Sequence, residues 1–190
     1  CPAGTYQNLT GQCSMSGGCG ADEVDRQFDG GDVWIYGAEV VVGERVVLPA
    51  GLHLNVDLSY SLTESRFQTS FVSDFPQFDV VSVGDSLPYV ARHQGALIAG
   101  LSHSGFELNL GLSGHSGMLD SAGTWPATEI DIPPLLLADA AGRIHLGEDL
   151  EIYLSGTNLG GSTAITSWRP VGARPVAPRQ IMLGVQTRRR

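Results

Sequence analysis

Lysine is absent from these 190 residues: all 11 basic side chains are arginine, set against 20 acidic ones for a formal charge of −9. A chain this acidic offers no basic surface for a phosphate backbone, so nucleic acid is excluded as a partner. Charge as a whole is scarce, at 16% of residues where globular chains carry roughly 25%. No apolar run approaches the ~18 residues of a transmembrane helix, an absence that says nothing against strands that cross a membrane. The amino terminus has no charged stretch followed by an apolar one, so the chain is expected to begin beyond any leader. Glycine, by contrast, is plentiful at 25 of 190, about 13% against a usual ~7%, which disfavours a helical bundle. The length fits one domain or a piece of one.

Cysteine is sparse too, and Cys1, Cys13 and Cys19 all fall in a polar segment rich in Gly and Ser. A small loop closed by Cys13 and Cys19 is feasible in an oxidising compartment, with three free thiols as the alternative. Zinc is disfavoured, because the nearest histidine, His53, is distant and no Cys-x-x-Cys pair exists. His53, His93, His103, His115 and His145 show no pair at i, i+2 or i, i+4, so they read as structural, and neither metal nor cofactor is expected. Acidic residues cluster at Asp22, Glu23, Asp25, Asp29 and Asp32, and again at Asp74, Asp79 and Asp85. Neither group has the alternating ligand spacing of a calcium loop, so both read as solvated surface.

What the sequence does have is alternation. Over residues 52–63, Leu52, Leu54, Val56, Leu58, Tyr60 and Leu62 alternate without a break with His53, Asn55, Asp57, Ser59, Ser61 and Thr63. That two-residue period predicts a strand with one apolar and one polar face. Phe106, Leu108, Leu110 and Leu112 repeat the pattern, as do Leu150, Ile152 and Leu154. Weaker strand signals at 33–46, 89–102, 135–146 and 180–187 bring the expected number to seven, with 135–141 also readable as a short helix after Pro133 and Pro134.

Short links near Gly51, Gly105 and Gly147 alternate with long ones at about 64–88, 114–131 and 159–178. Short turns at one end and long loops at the other describe an outer-membrane barrel. A soluble β-sandwich or lipocalin-like barrel would alternate as well. Strands of ~10 to 12 residues favour a tilted membrane crossing over the usual ~5 to 6 of a globular sheet. The expected fold is therefore all-β: an antiparallel transmembrane barrel segment, incomplete on its own, with a soluble all-β ligand- or partner-binding module as the alternative. On the membrane reading Leu54, Val56, Leu58 and Tyr60 face lipid and Asn55, Asp57 and Ser59 a wet interior. Trp34, Tyr36, Tyr60, Tyr89 and Tyr153 are then candidates for the interfacial aromatic girdles.

Several segments, in this order, resemble the carboxy-terminal part of a TonB-dependent outer-membrane receptor, in the branch that includes ferric-citrate receptors. They are Asp25-Arg26-Gln27-Phe28-Asp29-Gly30-Gly31 leading into Val33-Trp34-Ile35-Tyr36-Gly37-Ala38-Glu39, then Ser73-Asp74-Phe75-Pro76, then Leu87-Pro88-Tyr89-Val90-Ala91-Arg92-His93-Gln94. Leu150-Glu151-Ile152-Tyr153-Leu154 with Thr157-Asn158-Leu159 follows, and Arg169-Pro170-Val171-Gly172-Ala173-Arg174-Pro175 runs through Pro178-Arg179 into the last strand. The resemblance implies an outer loop region at 1–31 and a barrel portion at 32–190. The family's barrels have about 22 strands around a plug domain, and no plug is found in this sequence. It also implies the partners: outer-membrane lipid, the plug and missing strands, a TonB complex acting through that plug, and a ferric chelate or siderophore as cargo.

One enzyme signal competes. Val80-Val81-Ser82-Val83 before Gly84-Asp85-Ser86-Leu87, with Gly156-Thr157-Asn158 later, resembles the blocks of GDSL esterases. Such a serine needs a histidine base, supplied there by a terminal Asp-x-x-His. Here the last histidine, His145, precedes Asn158 and follows no Asp at that spacing, so no enzyme is expected. Arginines offer a better site. Arg169, Arg174 and Arg179 share a loop with Pro170, Pro175 and Pro178, and Arg92 opens a strand on the same side. Planar guanidinium groups on a stiffened loop suit bidentate recognition of carboxylates, as in a ferric-citrate ligand. The alternative is pairing with carboxylates of the barrel or plug.

Overall fold

Strict alternation leaves each strand with one greasy edge of side chains and one polar edge, and neighbouring strands must then pair so that like faces coincide. In the computed structural model they do. The structure describes residues 31–73, 75, 77–124, 131–147, 149–168 and 172–187, with the backbone of 6–7 and 13–14. Cys19 and Arg169 lie outside these residues, as do residues 21–30 with their acidic cluster and Asp74; the proposed Cys13–Cys19 loop therefore does too.

Seven strands form one antiparallel sheet: β1 (Val33–Leu48), β2 (Leu52–Phe67), β3 (His93–His103), β4 (Phe106–His115), β5 (Leu135–Leu146), β6 (Leu150–Thr157) and β7 (Gln180–Thr187). Their spatial order is their chain order, an up-and-down meander whose outer strands, β1 and β7, do not meet, so the sheet is open. Residues 135–141 belong to a strand, which settles the helix alternative against itself. Pro133 and Pro134 stand just before it, where a missing N–H costs no ladder bond. The turns at 49–51, 104–105 and 147–149 all lie at one end, and the connections 68–92, 116–134 and 158–179 at the other.

The register sorts the side chains. Val42, Leu58, Leu97, Leu112 and Ala138 form one cross-strand row, and Leu154, paired with Gly142 and Leu183, continues the same face. Most of these side chains are open to the surroundings, from Leu97 at 37% to Leu183 at 71%. Between the ends of the strands, Glu44 is the one charged side chain on this apolar face among the described residues. The opposite face carries Asn55, Asp57, Ser59, Gln94, Asn109, Ser113, Asp139, Arg143, Glu151 and Ser155.

Buried side chains gather elsewhere. Among the described residues, Phe67, Val81, Ala91, Leu119 and Ile132 are the buried apolar ones, and all lie at the long-loop end. There Phe67, Phe71 and Phe78 pack with ring centroids 5.5–6.2 Å apart. β1 and β2, at 16 residues each, reach about 50 Å, which at a ~45° tilt would be about 35 Å along a membrane normal, against a hydrocarbon layer of ~30 Å. Their turns are level with the others, so the surplus stands up into the loops, where Phe67 N–H donates to Asp85 C=O at 2.8 Å.

Three expectations need correcting. Residues 89–92 do not begin the third strand: Tyr89 has φ 59° and the strand starts at His93. Tyr89 is a loop residue whose hydroxyl donates to Asp120, so it is no girdle candidate. Tyr153 sits on the polar face, paired with Arg143 and Gly184, because Leu150, Ile152 and Leu154 take the other. Asp85 is not solvated surface; it is buried, accepting from Ser82 N–H at 2.9 Å and Thr124 Oγ1 at 3.0 Å.

Candidate functional site

Polar strand residues become a site only where register stacks them. One row of the polar face runs Glu39, Ser61, Gln94, His115, Leu135 across five strands, and the next runs Val41, Ser59, Ala96, Ser113, Leu137. All of these but Val41 line a recess of about 350 Å³ at the long-loop half of the sheet. Its lining includes a carboxylate, an amide, three serine hydroxyls and an imidazole, with Leu135 and Leu137 at the β5 end of the two rows. His115 Nδ1 donates to the Ser116 carbonyl at 2.7 Å, which leaves Nε2 as an acceptor in the neutral ring.

A second recess, about 220 Å³, lies on the same face nearer the short turns, lined by Glu107, Asn109, Arg143, Tyr153 and Ser155. Here Arg143 is held by Glu151 at 2.9 Å and Glu107 at 3.8 Å, and Glu151 also meets His145 at 3.4 Å. All of these side chains are partly open, so each pair contributes about 0.2–1 kcal/mol. The chemistry of this cluster is structural pairing.

The loops above are tied to one another. Tyr89 of the first long loop bonds Asp120 of the second and accepts from Trp168 N–H of the third at 3.4 Å; Trp168 Nε1 donates to Asp131 C=O at 3.0 Å. Asn158 anchors the third loop, its Nδ2 donating to the Ser162 and Ala177 carbonyls at 2.8 and 2.9 Å while its Oδ1 accepts from Ser162 N–H at 2.8 Å.

Three of the four predicted arginines fall among the described residues, and they are placed differently. Arg92, just ahead of β3, makes an ion pair with Glu64, whose side chain is 12% exposed and also meets Arg66 at 3.4 Å. Arg174 and Arg179 are exposed on the third loop, Arg174 paired through its backbone with Ser167. Sequence reasoning missed Glu39, Gln94 and His115, whose partners come from strands far apart in the chain. Ser86, the esterase-like serine, bridges to Gly123 by its backbone and borders a cavity of about 20 Å³ that no histidine lines. Asn158 serves its loop, as above.

No family profile matches the chain, and no curated protein matches it. Among solved structures it is similar to the ferric-catecholate import receptor Fiu of E. coli K12 in its closed form, with a TM-score of 0.63 and 20% identity. The likeness covers 96% of this chain and 23% of that one. At this identity it shows the fold: a sheet like a section of that receptor's chain.

Proposed function

We propose that this chain forms part of the wall of an outer-membrane β-barrel, in a TonB-dependent receptor that takes up a ferric chelate. One observation carries the reading: a seven-stranded meander with one broad, exposed apolar face, a polar opposite face, and all its short turns at one end. Soluble proteins rarely leave a contiguous apolar patch above a few hundred Å² uncovered, whereas lipid covers such a face. The neighbour's printed role, import of a ferric catecholate, agrees in class. On this reading residues 32–190 are barrel and 1–31 an outer loop region, while the plug that a TonB complex acts on, and the remaining strands, complete the receptor.

The protein is a receptor and transporter here, not an enzyme. Arg169, Arg174 and Arg179 are the outer contacts proposed for a ligand, with Arg92 a weaker candidate because Glu64 holds it. Replacing Arg174 with Ala is expected to weaken binding of ferric citrate; unchanged binding removes the loop's main candidate.

The reading is tested by fractionating cells and labelling. The chain should appear in the outer-membrane fraction, and single cysteines at Leu54, Val56 and Leu58 should react with a lipid-soluble reagent while those at Asn55 and Asp57 do not. A water-soluble monomer overturns it in favour of a soluble all-β binding module.

A further inference from the structure

A carboxylate stands where the membrane reading leaves no water for it. On the apolar face of β1, Ala38, Val40 and Val42 lie to one side of Glu44 and Val46 and Leu48 to the other. From Ala38 to Leu48 the strand rises about 24 Å along the normal at a ~45° tilt, the height of an outer-membrane apolar band. Trp34 and Tyr36, 66% and 56% exposed, follow at girdle height. Glu44 therefore lies about 10 Å inside the band from its nearer end, farther than its short side chain reaches. It is exposed, and it makes no hydrogen bond or ion pair among the described residues.

None of its neighbours in the sheet supplies a partner. Val56 stands opposite on β2, and Arg45 and Asp57 point to the other face. The rest of the row is Ala99, Leu110, Ala140, Gly156 and Ile181. His103, the nearest titratable group of this face, is two strands away at the turn end of β3. The exception thus falls on a strand whose second edge is open. Glu64, in register with Tyr36 at girdle height, shows how this sheet treats a carboxylate on that face: Arg66 lies 3.4 Å from it and Arg92 makes an ion pair with it.

We infer that the strand pairing with the free edge of β1 carries a basic side chain opposite Glu44, and that the two form an ion pair inside the hydrocarbon layer. The inference goes beyond the proposed function and rests on its membrane reading. A cross-strand neighbour brings Cβ atoms to about 4.5–5.5 Å, within reach of such a pair. Either charge alone in lipid is strongly disfavoured, so each makes the other tolerable. A slip of one residue turns one partner to the opposite face, and a slip of two moves it about 7 Å along the strand. The pair therefore fixes the register in which this section joins the rest of the wall.

The test uses outer membranes from cells producing the full protein. A lipid-soluble carbodiimide, which combines with carboxylic acids that lie protonated in hydrocarbon and spares paired carboxylates, should leave the peptide holding Glu44 unmodified. That reading needs no variant, so it stands even where a variant fails to assemble. A benzophenone side chain in place of Glu44 should link to a strand other than β2 that has Arg or Lys at the linked site. Glu44→Leu should lower the folded band on unheated gels by at least about half, because it strands the partner's cation, and replacing the linked basic residue by Leu as well should restore it. A glutamate facing lipid makes the opposite prediction, with Glu44→Leu folding as well or better. Carbodiimide modification of Glu44, a link to lipid alone or to a segment without a basic residue, or undiminished folding of Glu44→Leu overturns the inference while lipid labelling at Leu54, Val56 and Leu58 stands. Loss of that labelling, or absence of the protein from the outer membrane, overturns the membrane reading and the inference with it.

Discussion

Asn158 concentrates more bonding than any other loop side chain described above. It is 4% exposed, holds φ at 49°, and satisfies three backbone groups of its own loop while its N–H donates to Asp139 at 2.7 Å. Asparagine tolerates this left-handed backbone better than most residues. Asn158→Ala keeps the backbone bond to Asp139 but strands two carbonyls and an N–H, and adds a less tolerant backbone. The expected cost is about 2–4 kcal/mol, felt locally as faster proteolytic cleavage within 158–179. Asn158→Gly should cost less, because it loses the same bonds while relieving the backbone. Equal cleavage of the Ala variant and the parent chain would rule out the anchor. Ser86→Ala, in contrast, should leave the loops unchanged, since Ser86 takes part through its backbone.

At the scale of elements, β7 is held to β6 by a device no periodicity reveals. The Tyr153 ring lies over Gly184: a Cβ built there would stand 2.1 Å from the ring. Gly184→Ala should therefore push the ring away and loosen β7, at about 1–3 kcal/mol, read as faster hydrogen exchange at 180–187. Tyr153→Ala combined with it should recover part of the loss. The existence of all seven strands was legible in the sequence, since alternation is a local signal. Their ends were not. Strand β2 runs on through Glu64 and Arg66, which break the apolar pattern, because Tyr36 and Trp34 pair with them and the loop residues Gly84 and Arg92 bond or pair to them. Tyr89, Val90 and Ala91 look like strand, yet Ala91 is buried and Tyr89 is turned into the loop cluster. The recess was out of reach altogether, as it exists only once register has aligned Glu39, Ser61, Gln94 and His115 from four strands.

For the molecule as a whole, the two faces make opposite predictions for the same substitution. Leu110→Arg, at the middle of the apolar face, should cost about 2–4 kcal/mol in a bilayer. Asn109→Arg, one residue away on the polar face, should be nearly neutral. Folding into lipid vesicles followed by the shift of the folded band on unheated gels separates them. In a soluble module neither face would meet lipid, and two exposed arginines would behave alike.

The edges of the sheet decide what the chain does alone. β1 offers 16 residues of edge and β7 offers 8, so closing one on the other leaves about half of β1 without partners. Unpaired backbone in hydrocarbon costs several kcal/mol per group, which a barrel wall can avoid only by finding other strands. The polar face of β1 adds to the pressure: Ile35, Val41 and Val47 are 63–71% exposed there, poor lining for a water-filled lumen and good contacts for another protein surface. The 190-residue chain folded by itself in detergent is therefore expected to associate through its edges, seen as a mass of two or more chains by light scattering. Ile35→Lys with Val41→Lys places inward-pointing charges on that edge, a device by which natural edge strands avoid pairing, and should shift the mass toward one chain. A parent chain that is already monomeric at the same concentration would mean its edges are covered from within, and the wall would not need foreign strands to complete it.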